Sequence, residues 1–577
     1  MVPQEIGELM NSIISVAARA RAAFVTVLVA VLGVALTAAL GAVQPASAAV
    51  SAVANVGASG ATADALPTVQ VNGIVWTQVV VGNVVFAGGQ FSTARPAGAA
   101  PGKSAVRRSN LLAFDIRTGK LIHTFAPTIN GAVRALAVSP DKKTLYVGGA
   151  FTAVNGKKRL RFAALATGNG GVKVHAPAFS NEVRAILATG STIFVGGTFS
   201  KVGSTKRSRL ASLSATTGKV KKWKPAANGE VLALTLTPDR KSIVAGGSFS
   251  KIGRTAACGT ARLNGSTGGV LAWSVNTIIR NCGKGTAIMS LTADASRVYG
   301  SGYSYGGGNY EGVFAATSSG RLSWLQDCRG DTYGVAVANG RVYSVGHAHN
   351  CANIGGFPES QPQSTYRALA VTAGATGTVG TSPGGYKTFR GQPSPSLVNW
   401  FPSLTPGKIT GQNQAAWSVV AAGPYVVLGG EFTAVNGSPQ QGLVRMASPA
   451  AAPRRQGPIG VTAGAKPAVT AQADGSVAVS WNTVWDRDDQ ALTYTLWRGT
   501  TVVSRQTVGS LFWKRTTLTV RDTAVNPGEK HTWRVEVSDS AGNRVTSAST
   551  SLTVPTVEPP AEPSPPAEPT TPTQPGG

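Results

Sequence analysis

The sequence predicts an all-β protein: a seven-bladed β-propeller followed by a β-sandwich. Three observations carry that expectation. A short apolar strand ending in two glycines, with an aromatic residue two positions on, stands at 84–91 as VVFAGGQF and returns around Gly148, Gly196, Gly246 and Gly429. Two worn copies, around Gly300 and Ser344, bring the number to seven. The first glycines of the first four copies step by 60, 48 and 50 residues. Repeats of about 40–50 residues with several strands apiece are the sequence signature of a propeller. Near Gly457 the pattern changes, and alternating apolar segments separated by turn residues read as a sandwich.

Composition agrees with a turn-rich β protein. The 577 residues include 70 Gly and 33 Pro with only 14% charged, while 42% apolar content argues against disorder through the middle.

Residues 1–48 read as a signal peptide. Arg19 and Arg21 flank an apolar stretch from Ala22 to Val43, and Ala46-Ser47-Ala48 is a small-x-small cleavage site. The alternative for this stretch is an uncleaved membrane anchor. No transmembrane segment is expected after leader cleavage. Residues 49–69 form a short flexible segment, and the propeller spans 70–455.

One repeat reads whole. Residues 133–138 form the inner strand, Ser139-Pro140-Asp141 a turn, and 144–147 the second strand, ending at the glycine pair. Residues 160–165 form the third strand and 172–175 the fourth, which is what a blade requires. The paired glycines permit close backbone approach, and the aromatic after them is an apolar plug. Phe125, Trp223, Trp273, Trp324 and Trp400 recur near the fourth strand and are expected to pack between blades. A carbohydrate-stacking stripe is the functional alternative for them. Each blade reads as one continuous segment, the last using 417–421, 443–446 and 458–461. Ring closure then rests on side-chain packing or slight strand exchange. Six blades result if the units near 300 and 345 merge. The Gly- and Pro-dense stretch 366–412 reads as an insertion lying over one face. The sandwich spans 456–555, and 556–577 is a Pro-rich disordered tail, extended in character.

The cysteines are Cys258, Cys282, Cys328 and Cys351. Export permits disulfides, and three connectivities are possible. Nearest-neighbour pairing, Cys258–Cys282 and Cys328–Cys351, is expected where the repeats lose their glycine pattern. A zinc site is the alternative, but the cysteines lack the paired-ligand spacing.

Net charge is +28, from 53 Lys and Arg against 25 Asp and Glu. An exported protein this basic is drawn to polyanions: an anionic cell-wall polymer, lipid headgroups or extracellular DNA. Plain solubility is the bland alternative. One loop carries Lys157, Lys158 and Arg159, and the matching loop of the next unit carries Lys206, Arg207 and Arg209. Lys251 and Arg254, with Lys201, lie in equivalent loops, so one basic face is predicted.

Signs of chemistry are few. No G-x-S-x-G, H-E-x-x-H or phosphate loop is present, no nucleic-acid module is found, and no cofactor is expected. His347 and His349, with Cys351 beyond, read as half a metal site or a plain loop pair. Asp327, Asp331 and Glu311 are the best carboxylates for glycosidic hydrolysis, and the two aspartates read equally well as turn residues. The run Asp486-Arg487-Asp488-Asp489 matches a calcium-binding turn only loosely.

The repeat core GGAFTAVNG at 148–156, GGEFTAVNG at 429–437 and the shorter GGTFSKVG and GGSFSKIG resembles the delta-60 type propeller repeats of exported bacterial proteins. Residues 457–555 resemble a fibronectin type III domain, with Trp481 at the second-strand core Trp and Tyr494 at the third-strand Tyr. Such domains often accompany carbohydrate-active enzymes, which concerns neighbours rather than chemistry here. The expected function is a noncatalytic exported binding or cell-surface interaction protein recognising an anionic polymer through a basic face. The alternatives are a polysaccharide-active enzyme of the glycoside hydrolase kind and an accessory carbohydrate-binding protein.

Overall fold

The computed structural model describes residues 60–382, 388–461 and 465–556. The expected signal peptide, residues 49–59 and the tail from 557 onward lie outside the described residues. Within them the chain is almost entirely β-structure; helix is confined to Val275–Ile278 and a 3-10 turn at Ala352–Ile354. Among the described residues, no helix is long and apolar enough to cross a membrane.

Seven antiparallel sheets follow one another. Their first strands are Ile74–Val81, Val133–Val138, Val183–Ala188, Val231–Leu236, Thr286–Ala293, Thr332–Ala338 and Ala416–Ala422. Each pairs with a second strand, which pairs in turn with a third. The first strand of every sheet lies beside that of the next, and the strand of the seventh lies beside that of the first.

The glycine pair makes this neighbourhood possible. A methyl group on Gly88, Gly148 or Gly196 would strike Val133, Val183 or Val231 on the next sheet. One on Gly89, Gly149 or Gly197 would strike the carbonyl of Ile74, Ala132 or Glu182, beside its own partner strand. The first glycine therefore admits the next sheet and the second admits its own. The plugs that follow, Phe151, Phe199, Phe249 and Phe432, are fully buried.

The expected fourth strands are mostly cut short. Val270–Leu271 and Leu322–Gln326 are true fourth strands, but Leu121, Val172, Val220 and Leu397 make single bridges only. In the third sheet the chain soon turns inward: Trp223 packs 5.0 Å from Phe194, and its indole N–H donates to the Asn264 carbonyl of the next sheet at 3.0 Å. Phe125, Trp273, Trp324 and Trp400 are equally enclosed. These five aromatics are inter-sheet packing, and their burial rules out the stacking stripe.

Closure differs from the expectation of one continuous segment per unit. The place of a fourth strand in the seventh sheet is taken by residues ahead of the first sheet, with Leu66 bridged to Arg445 and the Thr62 amide donating to the Ala447 carbonyl at 2.8 Å. Residues 60–69, expected to be flexible, are instead held: Ala61, Ala63, Leu66 and Val69 are buried. Their apolar side chains cover an edge that would otherwise be open. Residues 458–461, expected to close this sheet, turn away, and Ile459 pairs with Trp485.

The irregular stretch also begins later than expected. Tyr366–Thr372 is a regular third strand in the sixth sheet. Beyond it come a small hairpin, Gly377–Thr378 with Pro393–Ser394, and a return in which Val398, Trp400 and Leu404 pack under the seventh sheet.

Both expected disulfides are present, Cys258–Cys282 and Cys328–Cys351. The first ties the fourth sheet to the connection entering the fifth. The second ties the connection leaving the fifth to the sixth. They staple the sheets around the worn repeats.

The C-terminal residues form two sheets. Ala468–Ala471, Val477–Asn482 and Thr517–Asp522 make one; Ala491–Arg498, Thr501–Gly509, Lys530–Ser538, Arg544–Thr546 and Thr550–Thr553 make the other. A common core holds Val477, Val479, Leu492, Tyr494, Leu496 and Trp533. Trp533 is the fully buried Trp here, and Trp481 is only partly covered. The unit is docked on the ring: Phe401 exchanges bonds with Arg487, and Phe357, Tyr366 and Phe401 cluster with Phe512 and Trp513.

Candidate functional site

Every first strand of the ring carries one β-bulge, at the point where it faces the glycine-marked end of the second strand. Val133 pairs with Gly149 and Ala135 with Gly148, which leaves Arg134 as the extra residue. The same shift isolates Trp76, Arg184, Leu232, Met289, Tyr333 and Trp417 in the other six sheets. A bulge re-aims a side chain. All seven bulge residues line one cavity of about 900 Å³ at the centre of the ring.

Their order around the ring separates three chemistries. Tyr333, Trp417 and Trp76, from the sixth, seventh and first sheets, form an aromatic arc with ring centroids 4.4 Å and 5.0 Å apart. Arg134 and Arg184 follow, then the apolar Leu232 and Met289. The Arg134 guanidinium lies 4.2 Å over the Trp76 ring. Among the described residues no carboxylate is within ion-pair distance of it, whereas Arg184 is paired with Glu182 at 2.9 Å. Burial, then the nearby charge of Arg184, holds the Arg134 pKa below the usual arginine value.

Buried polar groups fix the arc. Glu431 is fully buried and accepts the Trp417 indole N–H at 3.1 Å, together with the Thr410 amide at 2.9 Å and the Thr410 hydroxyl at 2.5 Å. The Tyr333 hydroxyl donates to Asp331 at 3.2 Å and lies 3.4 Å from His347 Nδ1, which Gln414 approaches at 3.0 Å. Burial depresses the His347 pKa, opposed by the Asp331 charge, and raises that of Tyr333.

The predicted basic residues lie elsewhere and divide into two kinds. Two-residue hairpins follow the second strands at corresponding positions: Ala153–Val154 with Lys157–Lys158, Lys201–Val202 with Thr205–Lys206, and Lys251–Ile252 with Thr255–Ala256. All three sit at the end of their sheets where the second strand leaves and the third begins. Lys157, Lys158, Lys201, Lys206, Lys251 and Arg254 are exposed there. The other three arginines are braces. Arg159 donates to the Lys158 and Lys173 carbonyls, Arg207 to those of Lys206 and Lys221, and Arg209 to that of Ala227. Arg209 also has positive φ, 62°, in a turn that Gly259 occupies in the fourth sheet.

The candidate carboxylates do not assemble as a pair open to one substrate. Asp327 is fully buried, 3.6 Å from Arg329, and accepts from Asn353 at 2.8 Å. Burial pushes its pKa up to about 6, against the pull of Arg329. Glu311 accepts the Gly330 amide at 2.8 Å, and Asp331 alone of the three lines the cavity. His347 and His349 also part company: His349 lies 3.4 Å from Glu359, while Cys351 is committed to its disulfide. In the acidic run, Asp486 accepts the backbone amides of Asp488 and Asp489 at 3.0 Å and 3.2 Å.

Sequence reasoning passed over the bulge residues because a bulge breaks alternation. Val133–Val138 reads as weakly patterned for that reason. The usable signal was an apolar or β-branched residue followed by a variable one in each inner strand: Val75-Trp76, Val133-Arg134, Val183-Arg184, Ala416-Trp417.

No family model matches the chain, and no curated protein matches it. Among solved structures, a computationally designed protein, Ika8, aligns at a TM-score of 0.36 and 12% identity, over 66% of this chain and 98% of that one. The β-propeller domain of Cps50 (Swd1) from Myceliophteria thermophila aligns at 0.38 and 10% identity, over 66% and 99%.

Proposed function

We propose that this protein is a noncatalytic binding protein, exported and acting outside the cell or at its surface, which holds an anionic polymer on a basic face. In this reading the seven sheets are the blades of a seven-bladed propeller of the delta-60 repeat type. The C-terminal pair of sheets is a fibronectin type III-like domain that holds the ring at a set orientation. Strand exchange at the seventh sheet, the ring of first strands and the split of C-terminal strands between two sheets support those assignments. The leader-like composition of residues 1–48 and the two disulfides support export.

The observation that carries the binding reading is the threefold recurrence of a basic hairpin at one end of adjacent sheets. It sets Lys157, Lys158, Lys201, Lys206, Lys251 and Arg254 along one edge, in a chain whose net charge is +28. Cations repeated at the spacing of a scaffold suit a ligand with repeated anions.

The test is binding of the mature protein to an anionic wall polymer, to DNA and to a neutral glycan, at low and moderate salt. Binding to the anionic polymers is expected to weaken with salt, because ion release drives it. Changing the six hairpin cations to Gln is expected to lower that affinity at least tenfold and flatten the salt dependence. Unchanged polyanion binding by that variant would overturn the reading. Arg159, Arg207 and Arg209 are left intact, since their loss would disturb the sheets.

A further inference from the structure

The central cavity and the basic hairpins use different residues, so the cavity can be argued by itself. We propose that the cavity is a second binding site, for an anionic pyranose: a sugar ring stacked on the Trp76–Trp417–Tyr333 arc, with its carboxylate or phosphate paired to Arg134.

Three features select that chemistry. Trp76 and Trp417 are only partly covered, adjacent in the ring, and open to the cavity. Apolar pyranose C–H faces pack on such rings, and a few placed polar groups then fix orientation. Gln412, Gln414, Asp331 and Tyr303 line the same cavity and supply them. The arc is also held in place beforehand. Glu431 anchors Trp417, Asp331 and His347 contact the Tyr333 hydroxyl, and Gln414 holds His347, so little ordering is left for a ligand to impose.

Charge decides the sign of the ligand. An aromatic arc could equally cage a cation. Here the Arg134 guanidinium lies 4.2 Å over one face of Trp76, and a second cation would meet its repulsion. Asp331 is engaged by the Ser304 amide and the Tyr333 hydroxyl, and Glu182 neutralises Arg184. Glu230, an exposed carboxylate at the cavity wall, stands three sheets from Trp76. Asp331 and Glu431 spend their oxygens on amide, hydroxyl and indole donors, whereas the Arg134 guanidinium has neither an ion pair nor a hydrogen bond among the described residues, so of the charged groups at the arc it is the one left to meet a ligand. Arginine pairs bidentately with carboxylates and phosphates.

The experiment titrates the full mature protein with three probes, followed by tryptophan fluorescence and calorimetry. The probes are a glucuronate-containing tetrasaccharide, glucose 6-phosphate and cellotetraose; choline serves as the cationic control. At least one anionic sugar is expected to bind, to change Trp emission, and to bind at least tenfold more tightly than cellotetraose. Which of the two does so tells carboxylate from phosphate. Arg134→Gln is expected to remove that preference, and Trp417→Ala to weaken every sugar at least tenfold. Thermal melts of both variants establish that they fold, and Trp76→Phe replaces Trp417→Ala if the latter does not. The six-cation hairpin variant is expected to leave sugar binding unchanged, which separates this site from the polymer-binding face. Three results would each overturn the proposal: no binding of any sugar at 10 mM, equal binding of neutral and anionic sugars, or tighter binding of choline.

Discussion

The buried guanidinium of Arg445 donates to the Ile116 carbonyl at 2.6 Å, joining the seventh sheet to the connection that follows the first. The same side chain donates to the Pro67 carbonyl at 2.6 Å, and the Arg445 amide donates to the Thr68 hydroxyl. One residue thus fastens the last sheet, the segment that completes it and the first sheet. Its partners here are carbonyls and a hydroxyl, so burial holds its pKa below the ordinary arginine value.

Arg445→Met would leave the buried Ile116 carbonyl without its donor and would break the bond to the Pro67 carbonyl, which water can still reach. A buried group left unsatisfied costs about 1–3 kcal/mol. A loss of about 1–3 kcal/mol is expected in urea unfolding of the ring. Wild-type stability in that variant would show that closure does not depend on Arg445.

Gly196→Ala tests the close approach of sheets. Its methyl group would strike Val231, and overpacking of this kind costs about 1–3 kcal/mol. Val231→Ala in the same chain is expected to recover part of that loss. Gly156→Ala, at a hairpin with φ of 71° and open space around it, is expected to cost about 1 kcal/mol from backbone strain alone. Equal effects at the two glycines would contradict the packing argument.

Loss of either disulfide should be felt around the fifth sheet. The loops span 24 and 23 residues in sequence. Chain-entropy reasoning assigns about 3 kcal/mol to closing a loop of that size. Serine replacement of both partners, pair by pair, is expected to lower the melting temperature each time. It should also open amide exchange in Thr286–Ala293 and Val298–Ser304 before the second and third sheets.

Asp488 gives the docking of the C-terminal unit a pH dependence. Its carboxylate accepts the Ala63 amide at 2.5 Å. Burial, then the hydrogen bond and charge of Asp486, push its pKa up to about 8. In the unfolded chain an Asp titrates near about 3.9, so the folded chain holds this proton more tightly. The contribution is therefore full below about pH 4, is lost as pH rises toward about 8, and is level above that. Asp488→Asn keeps an acceptor for Ala63 without a titration. Its melting temperature is expected to fall less than that of the wild type between pH 5 and pH 8. An unchanged slope would assign the pH dependence elsewhere.

The repeating parts are legible in the sequence. The glycine pairs are legible because their cause is local: no side chain fits where two strands meet a third, as at Gly148 beside Val183. The pairing of Cys258 with Cys282 and of Cys328 with Cys351 followed the breakdown of that pattern and stands in the structure. How the ring closes and what its centre contains depend on contacts between segments far apart in the chain. Residues 61–66 reach the edge of the seventh sheet because the ring sets its last sheet beside its first. Nothing local in Ala61–Leu66 distinguishes that role from a loose linker. The bulges hid Trp76, Arg134 and Trp417 by shifting each strand's alternation by one residue, and their convergence exists only once seven strands surround one axis. Arg159 and Lys157 look alike in sequence, two residues apart. Backbone carbonyls brought within reach by folding make the first a brace and leave the second free to meet a partner.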